Sequence, residues 1–548
     1  MKILDCTLRD GGYVNNWDFS NEFVNEHIKC VVESGIEYIE MGYRFIKPKS
    51  NYIGQCGYLS DDYLNSLDNL GDTKIAIMVD AKEFNQAGKT VDEVVEENFV
   101  DINLTKLSMI RLAVTKDIID LSLGVATKLK SKGYEVTINL MQFMLLSDGD
   151  LRYCLDKMLE VELDIIYFAD SYGSMMPEDV DRVFKIMKDY NDFRVGIHLH
   201  NNTDMAFANA VRALEYNPEF IDGSVLGMGR GAGNLKLENF IYFLYKRGNS
   251  KYAPEPILDL ATNQYAELKK KYKWGPGSAY AVSGFNNIHQ SYITKLLDTQ
   301  RYSLAEIVNM VNFISKDGRS VRFSEELKDE AIVNRFGSGT KMTAYNFGKP
   351  VIDVFQTGCD VLIVGRGSSS VKKSREINNF IKKQKVNVFE CNFLPQIKMS
   401  KFGHYCFFVK YPSFKEVLDE LVESKKKVIV GFPKVETDIL NMIERVKVMY
   451  LPYKVRCGLF DSSSLEDLIV PADVVSMYSV GAAIAGGAKK IFLAGFDGYG
   501  DLNNLNNQMM QAEMELFFSL LKQNYQDVEI VSITKTSFNV EQKSIYSF

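Results

Sequence analysis

The run Arg194-Val195-Gly196-Ile197-His198-Leu199-His200 decides how the first part of the chain is read. It is one of eight short β-type runs, the others being Lys2–Leu8, Tyr38–Met41, Lys74–Val79, Ser108–Ala113, Glu135–Leu140, Asp164–Ala169 and Ile221–Leu226. They recur at spacings of about 25–40 residues, which suit repeated strand–helix units. Amphipathic stretches such as Asp117–Lys132 and Glu178–Asp189 lie between them. Apolar strands alternating with helices predict a parallel sheet covered by helices. Eight units in roughly 250 residues predict a closed (β/α)8 TIM barrel rather than an open sheet.

Residues two apart on a strand point to one side, so His198 and His200 face the same way. At the C-terminal end of a barrel strand that side is the mouth. The first run leads into Thr7-Leu8-Arg9-Asp10-Gly11-Gly12, which places the Asp10 carboxylate on the same face. Two imidazoles and a carboxylate with open positions make a site for Mg²⁺, Mn²⁺, Co²⁺, Zn²⁺ or Fe²⁺. The glycines let a substrate approach the backbone, and Arg9 sets a permanent cation beside the metal. A metal and an arginine together suit an enolate, whose oxygen gains negative charge as it forms. Taken alone, an H-x-H pair is more often structural and an Arg-Asp pair is usually an ion pair. Their joint placement at the ends of the first and seventh strands favours the site.

Thr7-Leu8-Arg9-Asp10-Gly11, His198-Leu199-His200-Asn201 and Gly227-Met228-Gly229-Arg230-Gly231-Ala232-Gly233-Asn234 resemble the three signature segments of the HMG-CoA lyase-like metallolyases. That superfamily includes 4-hydroxy-2-oxovalerate aldolases, HMG-CoA lyases, isopropylmalate synthases and pyruvate carboxyltransferase domains. The resemblance spans roughly residues 1–300. It implies that Asp10, His198 and His200 ligate a divalent metal, Mn²⁺ or Mg²⁺ first and Co²⁺ or Zn²⁺ next, with Asn234 approaching it. It implies that Arg9 stabilises an enolate. Asp170-Ser171-Tyr172-Gly173 is similar to a substrate-binding segment, so Ser171 is expected to contact the substrate carboxylate. Glu40, Asn139 and Gln142 are further pocket candidates, with a structural hydrogen-bonding role as the alternative.

Two residues depart from the pattern. Asn202 stands where the family often has an acid, and Tyr13 stands where the pyruvate aldolases have a histidine base. Tyr13 is then the expected proton carrier, directly or through water, or else a packing aromatic. The glycine loop holds no cysteine, unlike the HMG-CoA-cleaving enzymes, and is similar to that of the pyruvate aldolases.

The chain has 548 residues, too many for one core, and a formal charge of −7, which argues against a nucleic-acid partner. Eight scattered cysteines without a C-x-x-C pair read as reduced core thiols of a cytoplasmic protein. The start MKILDCTLRD lacks a secretory h-region, and the weakly polar run Val474–Ala488 is too short to span a bilayer.

The expected domains are the barrel at 1–250, a helical extension at 251–350 and a smaller doubly wound, Rossmann-like α/β domain at 351–548. Helices are expected at Pro256–Lys271, Asn287–Leu297 and Ser303–Phe313. Strands are expected at Asp360–Val364, Val386–Glu390, Lys427–Val430, Val446–Tyr450, Lys490–Ala494 and Val528–Ile533. The turn Gly365-Arg366-Gly367-Ser368 before a helix could hold a phosphate, with Gly365, Gly367 and Ser368 as nucleotide-binding candidates. Val361–Lys372, Cys391-Asn392, Ser476–Ala488 and Lys490–Asp497 resemble bacterial sialyltransferase-like domains, which bind a CMP-sugar. That family's catalytic histidine has no counterpart after His404. The alternatives are nucleotide or sugar-phosphate binding without transfer, or a role in assembly.

These readings converge on a metal-dependent aldolase or lyase acting through the enolate of a pyruvate-like 2-oxo acid with an aldehyde partner. A sugar-derived aldehyde in surface polysaccharide biosynthesis and a homo-oligomeric state are further expectations. The rivals are an acetyl-CoA-dependent Claisen synthase and a nucleotide-sugar-binding or transferase protein whose barrel is a scaffold.

Overall fold

In a computed structural model the eight runs form parallel strands β1 (Lys2–Asp5), β2 (Tyr38–Tyr43), β3 (Lys74–Asp80), β4 (Leu107–Val114), β5 (Glu135–Met141), β6 (Ile165–Asp170), β7 (Arg194–Leu199) and β8 (Phe220–Gly223). β1 pairs with both β2 and β8, Leu4 against Tyr38 and Ile3 against Ile221, which closes the barrel. The structure describes residues 1–161, 163, 165–190, 193–299, 301–335, 342–347, 360–500 and 504–548. Asp164, at the start of one expected strand, lies outside them.

The strands read as near-continuous apolar runs because both faces are covered; β2 and β6 are buried at every position. The helices instead bury one stripe. In Pro177–Met187, Val180, Val183, Phe184 and Met187 are buried at i, i+3, i+4 and i+7. Beneath the mouth the barrel encloses charge as well as apolar atoms. Arg111 donates from Nη1 to Glu40 Oε2 at 2.9 Å and from Nη2 to Asp222 Oδ2 at 2.6 Å, and lies 4.2 Å from the Tyr167 ring centroid. A buried guanidinium needs such partners to offset its desolvation.

The first strand is shorter than the expected Lys2–Leu8. Asp5 Oδ1 accepts from the Thr7 amide at 3.2 Å and from the Thr7 hydroxyl, turning the chain into a helical turn, Thr7–Asp10. That turn carries Arg9 and Asp10 to the mouth. The last expected strand likewise stops at Gly223, and Leu226 takes φ 51°.

By its internal contacts the chain divides into one unit of Met1–Asp298 with Ser320–Phe323 and another of Thr299–Arg319 with Ser324–Phe548. The helices expected as one extension fall in both: Glu255–Tyr272, Ser278–Phe285 and Ser291–Asp298 in the first, Leu304–Ile314 and Glu325–Asn334 in the second.

The second unit holds a parallel sheet in the order Val448–Tyr450, Lys427–Val430, Gly403–Phe408, Val386–Cys391, Asp360–Val364, Lys490–Ala494, Glu529–Ser532, Glu541–Gln542. The order reverses between Asp360–Val364 and Lys490–Ala494, as in a doubly wound fold. The central strand Gly403–Phe408 was not expected from sequence. It is built from aromatics and cysteine rather than aliphatics, yet is buried throughout.

Six cysteines are buried and free, Cys457 is exposed rather than in a core, and Cys359 lies outside the described residues. Among the described residues no helix is long and apolar enough to cross a membrane.

Candidate metal centre and active site

Asp10, His198 and His200 converge at the barrel mouth, their donor atoms all within 4.8 Å of one another. His200 Nε2 lies 3.3 Å from Asp10 Oδ2, and His198 Nε2 lies 3.9 Å from it. The far nitrogen of each ring is already committed. His198 Nδ1 faces Asp222 Oδ2 at 3.0 Å, and His200 Nδ1 faces the Asp170 carbonyl at 2.8 Å. Both partners are acceptors, so each ring carries its proton on Nδ1 and turns an Nε2 lone pair toward Asp10.

Burial pushes the His198 imidazole down to about 4, so it is neutral near pH 7. Burial works against the Asp10 carboxylate, but the Arg9 guanidinium holds it well below the usual carboxylate range. Two lone pairs and a carboxylate converging on one point fit a cation. Asn234 completes the set. Its Nδ2 donates to Asp10 Oδ2 at 2.6 Å, while its buried Oδ1 has no hydrogen-bond partner, as a carbonyl oxygen reserved for a metal would. Close packing of the glycine loop brings Asn234 there: a Cβ on Gly229 would meet Asn234 Nδ2 at 2.7 Å and Asp10 Oδ2 at 3.0 Å. Cys6, His198 and Asp222 form a second cluster. Burial pushes the Cys6 thiol well up, and Asp222 is bound to Arg111, so the first cluster is the better cation site.

Arg9 donates from Nη1 to Asp10 Oδ1 and from Nε to Glu40 Oε2, both at 2.7 Å. Its Nη2 is uncommitted among the described residues, and the side chain lines the mouth cavity of about 710 Å³. Ser171, Asn139 and Gln142 line this cavity too. The Ser171 hydroxyl accepts from the Gln142 amide at 2.9 Å. Glu40 lies behind Arg9, binding Arg9 and Arg111. Asn202 is buried against Ser283, to whose hydroxyl its Nδ2 donates at 3.3 Å. Tyr13 lines the cavity, but its hydroxyl is 3.0 Å from the Tyr43 hydroxyl.

Sequence reading missed Asp222 and Arg111, whose ionic character is hidden inside strands, and the pair His289 and Arg230. His289 reaches the cavity from the segment after the barrel, its Nε2 3.2 Å from Arg230 Nη1. Burial first, then Arg230 and His200, push its imidazole down to about 3. The signals available were the scarcity of histidines, five in the chain, and the place of Arg230 inside the glycine-rich segment.

In the second unit the structure answers the phosphate expectation differently. The Asp497 carboxylate accepts from the Ser369 amide at 2.8 Å, the Ser368 hydroxyl at 3.1 Å and the Ser369 hydroxyl. A Cβ on Gly365 or Gly367 would meet the Gly495 carbonyl oxygen at 2.6 or 2.5 Å. Gly365, Gly367 and Ser368 therefore belong to a packed contact between two loops, with a side-chain carboxylate where an anion was expected.

Fold and donor set are those of a metal-dependent carbon–carbon lyase. Residues 1–267 match the family model described as HMGL-like, and this N-terminal part of the chain belongs to that family. It is 28% identical over 247 residues to an oxaloacetate decarboxylase of Mycobacterium tuberculosis, covering 45% of this chain and 70% of that one. It is 29% identical over 272 residues to a 4-hydroxy-2-oxovalerate aldolase of Geobacillus genomosp. 3, covering 47% and 78%. A solved N-terminal domain of a candidate aldolase from Bacteroides vulgatus is 35% identical, covering 55% of this chain and 97% of that one, with a TM-score of 0.48.

Proposed function

We propose that the barrel makes or breaks a carbon–carbon bond through the enolate of a pyruvate-like 2-oxo acid. The observation that carries this is the convergence of Asp10, His198, His200 and the unpartnered Asn234 Oδ1 beside Arg9. The two named relatives support it. Aldol cleavage of a 4-hydroxy-2-oxo acid and decarboxylation of oxaloacetate both release pyruvate at its enolate.

Asp10, His198, His200 and Asn234 would hold a divalent cation; the oxygen donors Asp10 and Asn234 suit Mn²⁺ or Mg²⁺, the ions the family resemblance puts first, and the two imidazoles also suit Zn²⁺ or Co²⁺. When bound, such an ion supplies Lewis-acid polarisation of the 2-oxo group. Arg9 turns its free Nη2 to the oxygen where charge develops, and Ser171 receives the substrate carboxylate. A proton must move at the methyl carbon, and Tyr13 and His289 both face the cavity. His289 is the imidazole facing the cavity outside the metal donor set; its Nε2 accepts from Arg230 Nη1 at 3.2 Å, and substrate drawing Arg230 away would free that nitrogen as the carrier.

In the second unit a cleft of about 350 Å³ opens beyond the C-terminal ends of two sheet strands, lined by Asn392, Lys410 and Ser413 with Arg301 and Asp473. Ligands of doubly wound sheets lie beyond the carboxyl ends of strands at the reversal of strand order; this cleft lies beyond the carboxyl ends of the next two strands to one side of it. We assign any nucleotide or sugar phosphate of the sialyltransferase-like reading to this cleft rather than to the Gly365 turn. Titration with CMP tests that assignment; no binding at millimolar ligand removes it. A sugar-derived aldehyde joins the two readings.

The barrel assignment is tested by supplying oxaloacetate and 4-hydroxy-2-oxo acids with Mn²⁺ or Mg²⁺ and following pyruvate release. Release that stops with chelator supports it. Release at an unchanged rate in Asp10→Asn refutes it.

A further inference from the structure

The mouth cavity is lined by four cations, Arg9, Lys82, Arg230 and Arg322, and three carboxylates, Asp10, Asp80 and Asp117. Each carboxylate has a cation of its own: Asp10 with Arg9 at 2.7 Å, Asp80 with Lys82 at 2.6 Å, Asp117 with Arg322 at 3.0 Å. Among the described residues Arg230 has none. Its guanidinium carbon lies 4.0 Å from the Tyr13 ring centroid, its Nη1 faces neutral His289, and its buried Nε has no hydrogen-bond partner. Neither an aromatic face nor an imidazole supplies a negative charge. Arg230 also directly follows Gly229, whose backbone is packed against Asp10, so it is anchored beside the metal donors. At about 710 Å³ the cavity lies within the roughly 300–1,000 Å³ of sites for full-sized ligands, with room beyond a three-carbon acid.

We propose that Arg230 is the anchor for a second anionic group, a carboxylate or phosphate carried by the aldehyde that the enolate adds to or leaves from. The proposal rests on the enolate reading and names its acceptor class. A guanidinium fork pairs with either group through two parallel hydrogen bonds. The anion is one that stays on the product. A carboxylate departing as CO₂ loses its charge in the transition state, so pairing with Arg230 would stabilise the ground state and slow the step. Arg230 thus favours aldol chemistry over decarboxylation.

The test uses full-length protein with Mn²⁺ and has two readouts. The first is kcat/KM for addition of pyruvate to matched aldehydes: succinic semialdehyde against butanal, and glyceraldehyde 3-phosphate against glyceraldehyde. The second needs no turnover: calorimetric affinity for 4-hydroxybutyrate against butan-1-ol. Wild type is expected to favour an anionic member by about tenfold or more in both, the size of one charge-assisted pair. Arg230→Met should erase the preference through KM, and Arg230→Lys should retain part of it at an unchanged melting temperature. The carboxylate and phosphate arms tell which group is used. Equal use of anionic and neutral partners, or a preference that survives in Arg230→Met, overturns the proposal. An anion preference without pyruvate methyl-proton exchange leaves Arg230 standing as an anion anchor and removes the enolate reading; exchange without the preference does the reverse.

Discussion

His198 Nδ1 lies 3.0 Å from Asp222 Oδ2, and this contact sets which nitrogen the ring offers at the mouth. Asp222 is held in turn by Arg111, which overcomes burial and keeps its carboxyl below the usual range. The ionic layer inside the barrel thereby orients a metal donor above it. Asp222→Asn is expected to weaken metal binding about 10–100-fold, the usual effect of losing such a partner. Competition with a chelating dye measures this. It should also lower the melting temperature, since Arg111 loses a buried counter-charge.

Arg9 is expected to act on the reaction more than on the metal. Arg9→Lys should lower kcat about 10²–10³-fold, as loss of one donor to a developing oxyanion does, while retaining bound Mn²⁺. Steady-state kinetics beside metal analysis of the same preparation checks both halves.

The proton step separates the two groups facing the cavity. His289→Gln is expected to lower kcat about 10²–10⁴-fold with metal content unchanged. Tyr13→Phe, which removes a hydroxyl already paired with Tyr43, should cost less than about tenfold in kcat. The reverse order would make Tyr13 the carrier.

Stability should fall on the acid side. His198 and His289 are depressed in the folded protein to about 4 and about 3 from an ordinary 6.5. A depressed group contributes stability that is full above the unfolded value and is lost as pH falls toward the folded value. Melting temperature is thus expected to drop between pH 6.5 and 4, with a shallower slope in His289→Gln. Thermal melts across that window decide it.

In the second unit, Gly367→Ala is expected to destabilise by about 1–3 kcal/mol, because the new Cβ meets Gly495 and Asp497. Asp497→Ala should cost about 1 kcal/mol, as loss of a helix cap does. Both losses should appear without any nucleotide in denaturant titrations.

The barrel was legible because eight apolar runs recur at one spacing, and His198 and His200 because their two-residue step on a strand fixes a common face. Asp10 was legible only through its neighbours, since the bend at Asp5 that carries it to the mouth depends on a side-chain contact with Thr7. Asp222 and Arg111 were hidden because a charge inside a barrel strand reads as a break in an apolar run, with its partner about a hundred residues away. His289 and Arg230 were hidden because a segment beyond the barrel brings them together. At the Gly365 turn, close packing of two loops and phosphate binding demand glycine for the same reason, a missing Cβ, so the sequence pattern does not separate them.

The most direct measurement of the central claim is exchange of pyruvate methyl protons in D₂O, followed by NMR with added Mn²⁺, Mg²⁺ or Co²⁺, the paramagnetic ions being removed before reading. It needs no acceptor. The expected result is exchange that requires the metal and is lost in Asp10→Asn. Exchange at the wild-type rate in Asp10→Asn, or none with any of the three ions, would contradict enolate chemistry at this barrel mouth.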